Sequence, residues 1–254
     1  MDFRWVNRNL RWPLSVETIF FDLDDTLCDN RSAIVRARED TIDYILSKFA
    51  NQDRHTIQDT YDRIFSEQEQ HIGELSNEPA TFRSGFEFRV DRFNKLLQGL
   101  HLPNENMSVE LTNVYGNSKI KHLHAFSEVR EVLIKLRKSF LLGVITNGFS
   151  DLQNEELDEL GLLGLFDHVI ISQEVEMRKP EERIFLEALR RTSTLPDKFL
   201  MVGDKLKDDI LTPKKLGMHA GLVLHNKKPE GDLRIGSDFI IQNLNFLPDL
   251  VKHP

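Results

Sequence analysis

The sequence predicts an α/β fold: a parallel sheet with helices on both faces, interrupted after its first strand by an all-helical insertion. Three observations lead there. The run Thr18-Ile19-Phe20-Phe21 is β-branched and aromatic and reads as a buried strand. From residue 126 onward, short apolar runs alternate with helical stretches, the pattern of a parallel sheet. Between these regions, residues 31–122 contain no convincing strand. The first strand belongs to the same sheet as the later ones, so the helical block is an insertion and not a preceding domain. The expected division is a core of residues 1–29 and 123–254 and an inserted helical domain of residues 30–122.

Within the insertion, apolar residues recur at helical spacing. Ile34, Ala37, Ile42, Ile45 and Phe49 mark one helix, and Ile57, Tyr61, Ile64 and Phe65 a second. Phe82, Phe86, Phe88, Val90, Phe93, Leu96 and Leu97 mark a third, interrupted or started near Gly85. Val109, Leu111 and Val114 mark a fourth, after a break at Leu102-Pro103-Asn104. In the core, helix 127–138 leads to strand 141–145, helix 149–160 to strand 168–172, helix 181–191 to strand 199–203, and helix 207–216 to strand 220–224. Strand 238–241 and a last helix near 244–252 complete it. Segment 1–17, with Trp5 and Trp12, precedes the first strand and packs either on the core or on a second subunit.

Composition narrows the class of protein. Hydrophobic content of 40% and charged content of 29% in 254 residues fit a packed core. No apolar run approaches the roughly 20 residues needed to span a bilayer, so no membrane partner is expected. The N-terminus lacks the basic and apolar regions of a secretory signal. A lone cysteine, Cys28, excludes an internal disulfide and fits a reducing cytoplasm, the expected location. A net charge of −8 argues against general nucleic-acid binding, and an anionic substrate would need a local cationic patch. The expected assembly is a monomer or homodimer, between which the sequence does not choose.

Four segments carry chemistry. Asp22 and Asp24 fall where the first strand ends, in Asp22-Leu23-Asp24-Asp25-Thr26. Ligands of open α/β sheets bind at such ends, and clustered acids there are costly unless a cation or a reaction uses them. Asp-x-Asp pairs also occur as caps and turns. Thr146-Asn147-Gly148 follows strand 141–145; it reads as a donor set for an oxyanion at a helix start, or as an ordinary capped turn. Lys179 stands in Arg178-Lys179-Pro180 ahead of a helix, where it is a surface charge unless it reaches the same sheet edge. Gly203-Asp204 repeats the strand-end acid, and Asp208 and Asp209 follow at the next helix start. Each segment alone is ambiguous. Their order along one chain is not.

That order resembles the haloacid dehalogenase-like hydrolase superfamily, across residues 18–28 and 126–252. The resemblance implies a Rossmann-like core, and the insertion sits where that family places a cap. Asp22-Leu23-Asp24-Asp25-Thr26 is similar to the Mg²⁺-dependent phosphatase branch, since the dehalogenases lack the second Asp. Ile145-Thr146-Asn147-Gly148, Arg178-Lys179-Pro180…Ile184-Phe185 and Phe82-Arg83…Arg89…Arg92-Phe93 are similar to the subgroup of small-metabolite and nucleotide phosphatases. By this resemblance Asp22 is the nucleophile and forms an aspartyl-phosphate, and Asp24 is the general acid and base. Mg²⁺ is held by Asp22, Asp204 and the backbone carbonyl of Asp24, with Asp209 supporting it and Asp208 as a competitor. Thr146 and the backbone of Asn147 hold the phosphoryl oxygens, and Lys179 offsets the charge.

Two positions depart from the family pattern. Lys205 stands where a small hydroxylic residue is usual; it contacts phosphate or substrate, or points to solvent, the latter favoured. Leu211-Thr212-Pro213 replaces a small pair, which leaves the geometry near Asp209 open. Arg83, Arg89 and Arg92 are candidate substrate contacts of the insertion, and His71 and Gly73 are expected in a loop between helices. An insertion of this size is expected to cover the site and exclude macromolecular esters. The expected partner is thus a small phosphorylated metabolite, a nucleotide or sugar phosphate. A phosphomutase, a 2-haloacid dehalogenase and a non-catalytic binding protein are the alternatives.

Overall fold

The computed structural model describes residues 4–74, 84–225 and 236–254. The chain divides into two compact units, one of Met1–Asp29, His124–Phe149 and Gln153–Pro254, the other of Asn30–Leu123 with Ser150–Leu152. Strands among the described residues are β1 (Arg4–Val6), β2 (Leu14–Ser15), β3 (Thr18–Phe21), β4 (Leu141–Thr146), β5 (His168–Ile171), β6 (Phe199–Gly203), β7 (His219–Val223), β8 (Phe239–Ile241) and β9 (Val251–Lys252). Seven of them form one sheet in the order β1-β8-β7-β6-β3-β4-β5, while β2 and β9 pair separately. Its pairings are parallel except β1 on β8, so an otherwise parallel sheet carries one antiparallel edge strand.

That edge strand answers the question of the N-terminal segment. Arg4–Val6 pairs with Phe239–Ile241 and covers the open edge of β8. Trp12 donates its indole N–H to Asn7 O at 2.9 Å and meets Phe239 edge-on. Strand β3 is buried at all four residues, as its composition predicts. Phe20 lies in register beside Met201, and Met201 beside Ala220, so these three line one side of the sheet. There they pack with Ile184, Phe185 and Ala188 of a core helix, or with Leu222 and Ile240. The Phe20 ring lies across its paired neighbour Gly143, where a Cβ would come within 2.3 Å of it. Phe239 covers Gly221 in the same way. These strand glycines make room for a neighbouring ring.

The helices are α1 (Asn30–Lys48), α2 (Arg54–Glu74), α3 (Gly85–Gly99), α4 (Met107–His122), α5 (Val129–Leu136), α6 (Ser150–Glu159), α7 (Ser172–Val175), α8 (Glu182–Thr192) and α9 (Thr212–Lys215). Two expected core helices differ. Segment 207–216 is a π-helix, Leu206–Leu211, followed by the single turn α9. Pro213 has no N–H to return to the carbonyl of Asp209, which breaks the regular ladder there. The expected last helix is a 3₁₀ stretch, Leu244–Asp249, containing Pro248 and followed by β9.

The helical unit is built on α1, α2, α3 and α4. Ala37, Ile42, Ile45, Ile57, Tyr61, Phe93, Leu96, Leu97, Leu111 and Tyr115 form its core. Helix α3 starts at Gly85, capped by the Ser84 side chain accepting from Glu87 N. Apolar spacing misjudged α4: Val109 is 38% exposed, whereas Ser108, Thr112 and Ser118 are buried beside Leu111 and Tyr115. Thr112 and Thr41 satisfy their hydroxyls on the carbonyls of Ser108 and Ala37, at 2.8 and 2.7 Å. Small hydroxylic faces thus bury without unpaired donors, and hydrophobicity alone does not reveal them. His71 and Gly73 lie within α2, not in a loop. The ends of the insertion are tied together: Asp29 N donates to His124 O at 3.0 Å and Phe126 N to Leu27 O at 3.1 Å.

One buried charge fixes β7 against β8. Asp238 accepts from Lys214 Nζ at 2.7 and 2.9 Å and from Ala220 N at 2.9 Å, and His219 Nδ1 lies 3.1 Å away. Burial pushes the Asp238 carboxyl up, but the bonds from His219, Lys214 and Ala220 outweigh it and hold it below the usual carboxylate value. Its contribution is therefore full at neutral pH and lost as pH falls through that lowered value. Asp238→Asn is expected to cost about 2–3 kcal/mol at pH 7 in urea unfolding. The cost should shrink as the pH falls below about 4.

Candidate active site

Three neighbouring strands of the sheet deliver the site. Strands β4 and β5 lie on one side of β3, and β6, β7 and β8 on the other. The strand order reverses at β3, and ligands of open α/β sheets bind at such a switch point. Asp22 follows β3 directly, its N–H donating to Val202 O at 2.9 Å, so the ladder continues to the acid itself. Thr146 is the last residue of β4, and Asp204 follows the last residue of β6.

Beyond Asp22 the chain turns on itself. Leu27 N bonds Leu23 O and Asp25 N bonds Cys28 O, each at 2.9 Å, and Asp25 takes the left-handed conformation at φ 60° that Asp tolerates. Thr26 is buried and donates to Asp22 Oδ2 at 3.2 Å. Cys28 is fully buried, its Sγ 3.6 Å from Leu23 O, in keeping with a packing role.

Lys179 reaches this edge. Its side chain is 3% exposed, and Nζ donates to Asp22 Oδ1 at 2.5 Å and to Asp209 Oδ1 at 2.6 Å. Asn147 holds the lysine from behind: its Nδ2 donates to Lys179 O and its Oδ1 accepts from Lys179 N, both at 2.9 Å. Thr212 Oγ1 donates to Pro180 O at 2.8 Å. The segment before α8 is thus pinned to the end of β4 and to α9.

Asp209 is fully buried in the π-helix and also accepts from Lys205 N at 3.0 Å. Gly203 makes its position possible, because a Cβ there would lie 2.4 Å from the Asp209 carboxylate. Of the two adjacent acids, Asp209 joins the cluster, and Asp208 is half-buried outside it. Carboxylate oxygens of Asp22, Asp204 and Asp209 all lie within 4.8 Å of one another. The carboxylate of Asp24 is not in this set.

The electrostatics follow from crowding. Burial and the charge of Asp22 push the Asp209 carboxyl up to about 7, against Lys179 and the Lys205 N–H, which favour its ionised form. Burial pulls the Lys179 ammonium down, but Asp209 and Asp22 outweigh it and hold it well above its ordinary value. Desolvation of its ammonium end lowers Lys205, but Asp22 and Asp204 outweigh it and raise it too, so its charge lies in the field of the site. Three clustered carboxylates supply hard oxygen donors beside the bridging Lys179 ammonium, with Lys205 more distant, a donor set that suits a divalent cation. The residues therefore fit Mg²⁺.

Other expected positions resolve differently. Arg83 lies outside the described residues. Arg89 and Arg92 are half-buried and stack on aromatic rings of the helical unit, Arg89 over Tyr115 at 5.3 Å and Arg92 over Phe65 at 4.2 Å. Sequence reasoning did not single out Gln153, whose Oε1 lies 2.5 Å from Thr146 Oγ1, nor the side chain of Asn147 as the clamp on Lys179. The signal for Gln153 was faint: a polar residue on the otherwise mixed face of α6 that the structure buries.

Fold and site together define a doubly wound α/β enzyme core with an acid–lysine centre at its strand ends. The chain belongs to the haloacid dehalogenase-like hydrolase family, which it matches over residues 19–223. A glyceraldehyde 3-phosphate phosphatase of Pyrococcus furiosus is 31% identical over 241 residues, with 93% of each chain covered. One of Pyrococcus abyssi is 35% identical over 205 residues, covering 80% of this chain and 79% of the relative. The crystal structure of the HAD-hydrolase YfnB of Bacillus subtilis, bound to magnesium, shares the fold with a TM-score of 0.66 at 22% identity, over 92% of this chain and 97% of that one.

If the carboxylate cluster binds Mg²⁺, the ion stabilises the folded state by linkage. Mg²⁺ added to EDTA-stripped protein at about 100 times its Kd should contribute about 2.7 kcal/mol, read as a rise in Tm. Asp204→Asn should remove most of that rise. An equal response from the variant would place the ion elsewhere.

Proposed function

We propose that the protein is a Mg²⁺-dependent phosphatase that hydrolyses a small phosphomonoester, most directly a sugar phosphate, through an aspartyl-phosphate on Asp22. The observation that carries this reading is the Lys179 ammonium held between Asp22 and Asp209 at the strand ends. A carboxylate that must approach a phosphate dianion needs cations beside it, and this lysine is anchored there by its backbone as well as its side chain. The names of the archaeal relatives support the sugar-phosphate class.

In this reading a carboxylate oxygen of Asp22 attacks phosphorus in line, and the ester oxygen leaves with a proton from Asp24. Asp24 then takes a proton from water as that water attacks the aspartyl-phosphate, which frees Asp22 and inorganic phosphate. Lys179 and Thr146 bind the phosphoryl oxygens, and the hydrogen bond from Thr26 orients Asp22. Held by Asp22, Asp204 and the Asp24 carbonyl, with Asp209 behind them, Mg²⁺ would supply further neutralisation of the phosphoryl charge. The helical unit is read as the cap of this family.

The test is phosphate release from a panel of sugar phosphates, glyceraldehyde 3-phosphate among them, and nucleoside monophosphates, with Mg²⁺ and with EDTA. We expect turnover that needs Mg²⁺ and falls by roughly 10³-fold or more in Asp22→Asn. Hydrolysis that persists in EDTA, or in that variant, would overturn the reading. A requirement for a bisphosphate activator would indicate a phosphomutase.

A further inference from the structure

Gln153 is polar, 4% exposed and adjacent to the phosphoryl-binding end of β4. It sits in a notch shaped for it: a Cβ on Gly148 would come 2.8 Å from its Cγ and 2.9 Å from its Cδ. Its carboxamide spans two groups. Oε1 lies 2.5 Å from Thr146 Oγ1, and Nε2 lies 3.4 Å from Oε2 of Glu156, which is 1% exposed. Both partners are buried, so these contacts form away from solvent.

The chemistry of the pair is restrictive. A hydroxyl has one proton and can donate once. Facing the Gln153 carbonyl oxygen, Thr146 gives that proton to glutamine and offers an incoming phosphoryl group only lone pairs. Phosphoryl oxygens are acceptors, so that arrangement repels them. A half-turn of the carboxamide exchanges oxygen and nitrogen in nearly the same volume. Nε2 then donates to Thr146, whose proton is released toward the anion as a charge-assisted hydrogen bond.

We propose that Gln153 is a positioning residue that sets the direction of the Thr146 hydroxyl, and that its carboxamide turns over to give the hydroxyl proton to a bound phosphoryl group. The Nε2 contact with Glu156 favours the resting orientation, and the anion favours the turned one. This rests on the phosphatase reading only in naming phosphate as the anion. It goes beyond that reading in assigning the donor state of Thr146 to a residue that touches no substrate.

The experiment is calorimetric titration of Mg²⁺-loaded protein with inorganic phosphate, so that binding is read without turnover. Gln153→Glu, made together with Glu156→Gln so that no second carboxylate shares a proton with it, offers acceptors to Thr146 and traps its proton; phosphate affinity should fall about 10- to 100-fold relative to Glu156→Gln alone. Gln153→Met fills the notch without a hydrogen-bonding group and leaves the proton free; affinity should stay within about threefold of wild type. Thr146→Val should lose affinity as that double variant does, and the double variant should add nothing beyond Glu156→Gln in the Thr146→Val background. A further loss there would mean that the added charge acts directly on phosphate, which overturns the proposal. So would a Gln153→Met variant that loses affinity as fully as Thr146→Val, a comparison that holds even if the double variant does not fold. Absence of phosphate binding by wild type overturns it outright. Wild type that binds phosphate with this variant pattern but hydrolyses no ester would retain the inference while the phosphatase reading fails.

Discussion

The ammonium of Lys179 lies between two carboxylates in a place water barely reaches, and the surrounding structure is arranged to keep it there. Asp22 and Asp209 come from segments far apart in the chain, and both end on the same nitrogen. Buried carboxylates at this separation repel each other, and each loses hydration that only a partner of opposite charge replaces. Removing the lysine would leave two buried acids facing each other, so the interaction constrains both the sheet edge and the helix that follows β6. The same pairing sets a cation directly beside the acid proposed as the nucleophile.

The supports for this contact are mostly backbone devices. Asn147 pairs with both the N–H and the carbonyl of Lys179, and Thr212 holds the next carbonyl. Gly203 supplies the space that brings Asp209 up to the strand end. The π-helix ahead of Pro213 carries Asp209 into the cluster while its neighbour Asp208 stays outside it. The departures from the family pattern at Leu211-Thr212-Pro213 therefore have a local use: the threonine latches the lysine segment, and the proline shapes the turn that carries the acid.

Much of this is legible in the sequence. β-branched and aromatic runs located β3 through β8 to within a residue or so, because a strand buried on both faces has few alternatives in composition. The acids at two strand ends, the Thr-Asn-Gly turn and the Lys-Pro pair were legible because charge at a buried edge is costly and stands out. What escaped was what hydrophobic spacing does not encode. The buried face of α4 is largely hydroxylic, so Val109 looked like core and Ser108 did not. The edge strand β1 is too short to announce itself. The Asn147 side chain acts through hydrogen bonds to a segment distant in sequence, and Gln153 through polar contacts on the buried face of α6; neither leaves a mark in hydrophobic periodicity. The break in the ladder at Pro213 was present in the sequence, but its result, a π-turn and not a helix end, depended on what Asp209 had to reach.

The tie between Asp29 and His124, reinforced by Phe126 and Leu27, bears on how this chain can change over time. The residues entering and leaving the helical insertion sit side by side on the sheet-bearing unit, so the insertion is a branch with a closed base. The entropy of closing such a branch grows only slowly with its length, and the core strands pair without residues from within it. Lengthening, shortening or replacing the branch is therefore nearly neutral for the sheet and its acid–lysine centre. The acid–lysine centre and the inserted segment are separable modules of one gene, and selection can revise the second while leaving the first untouched.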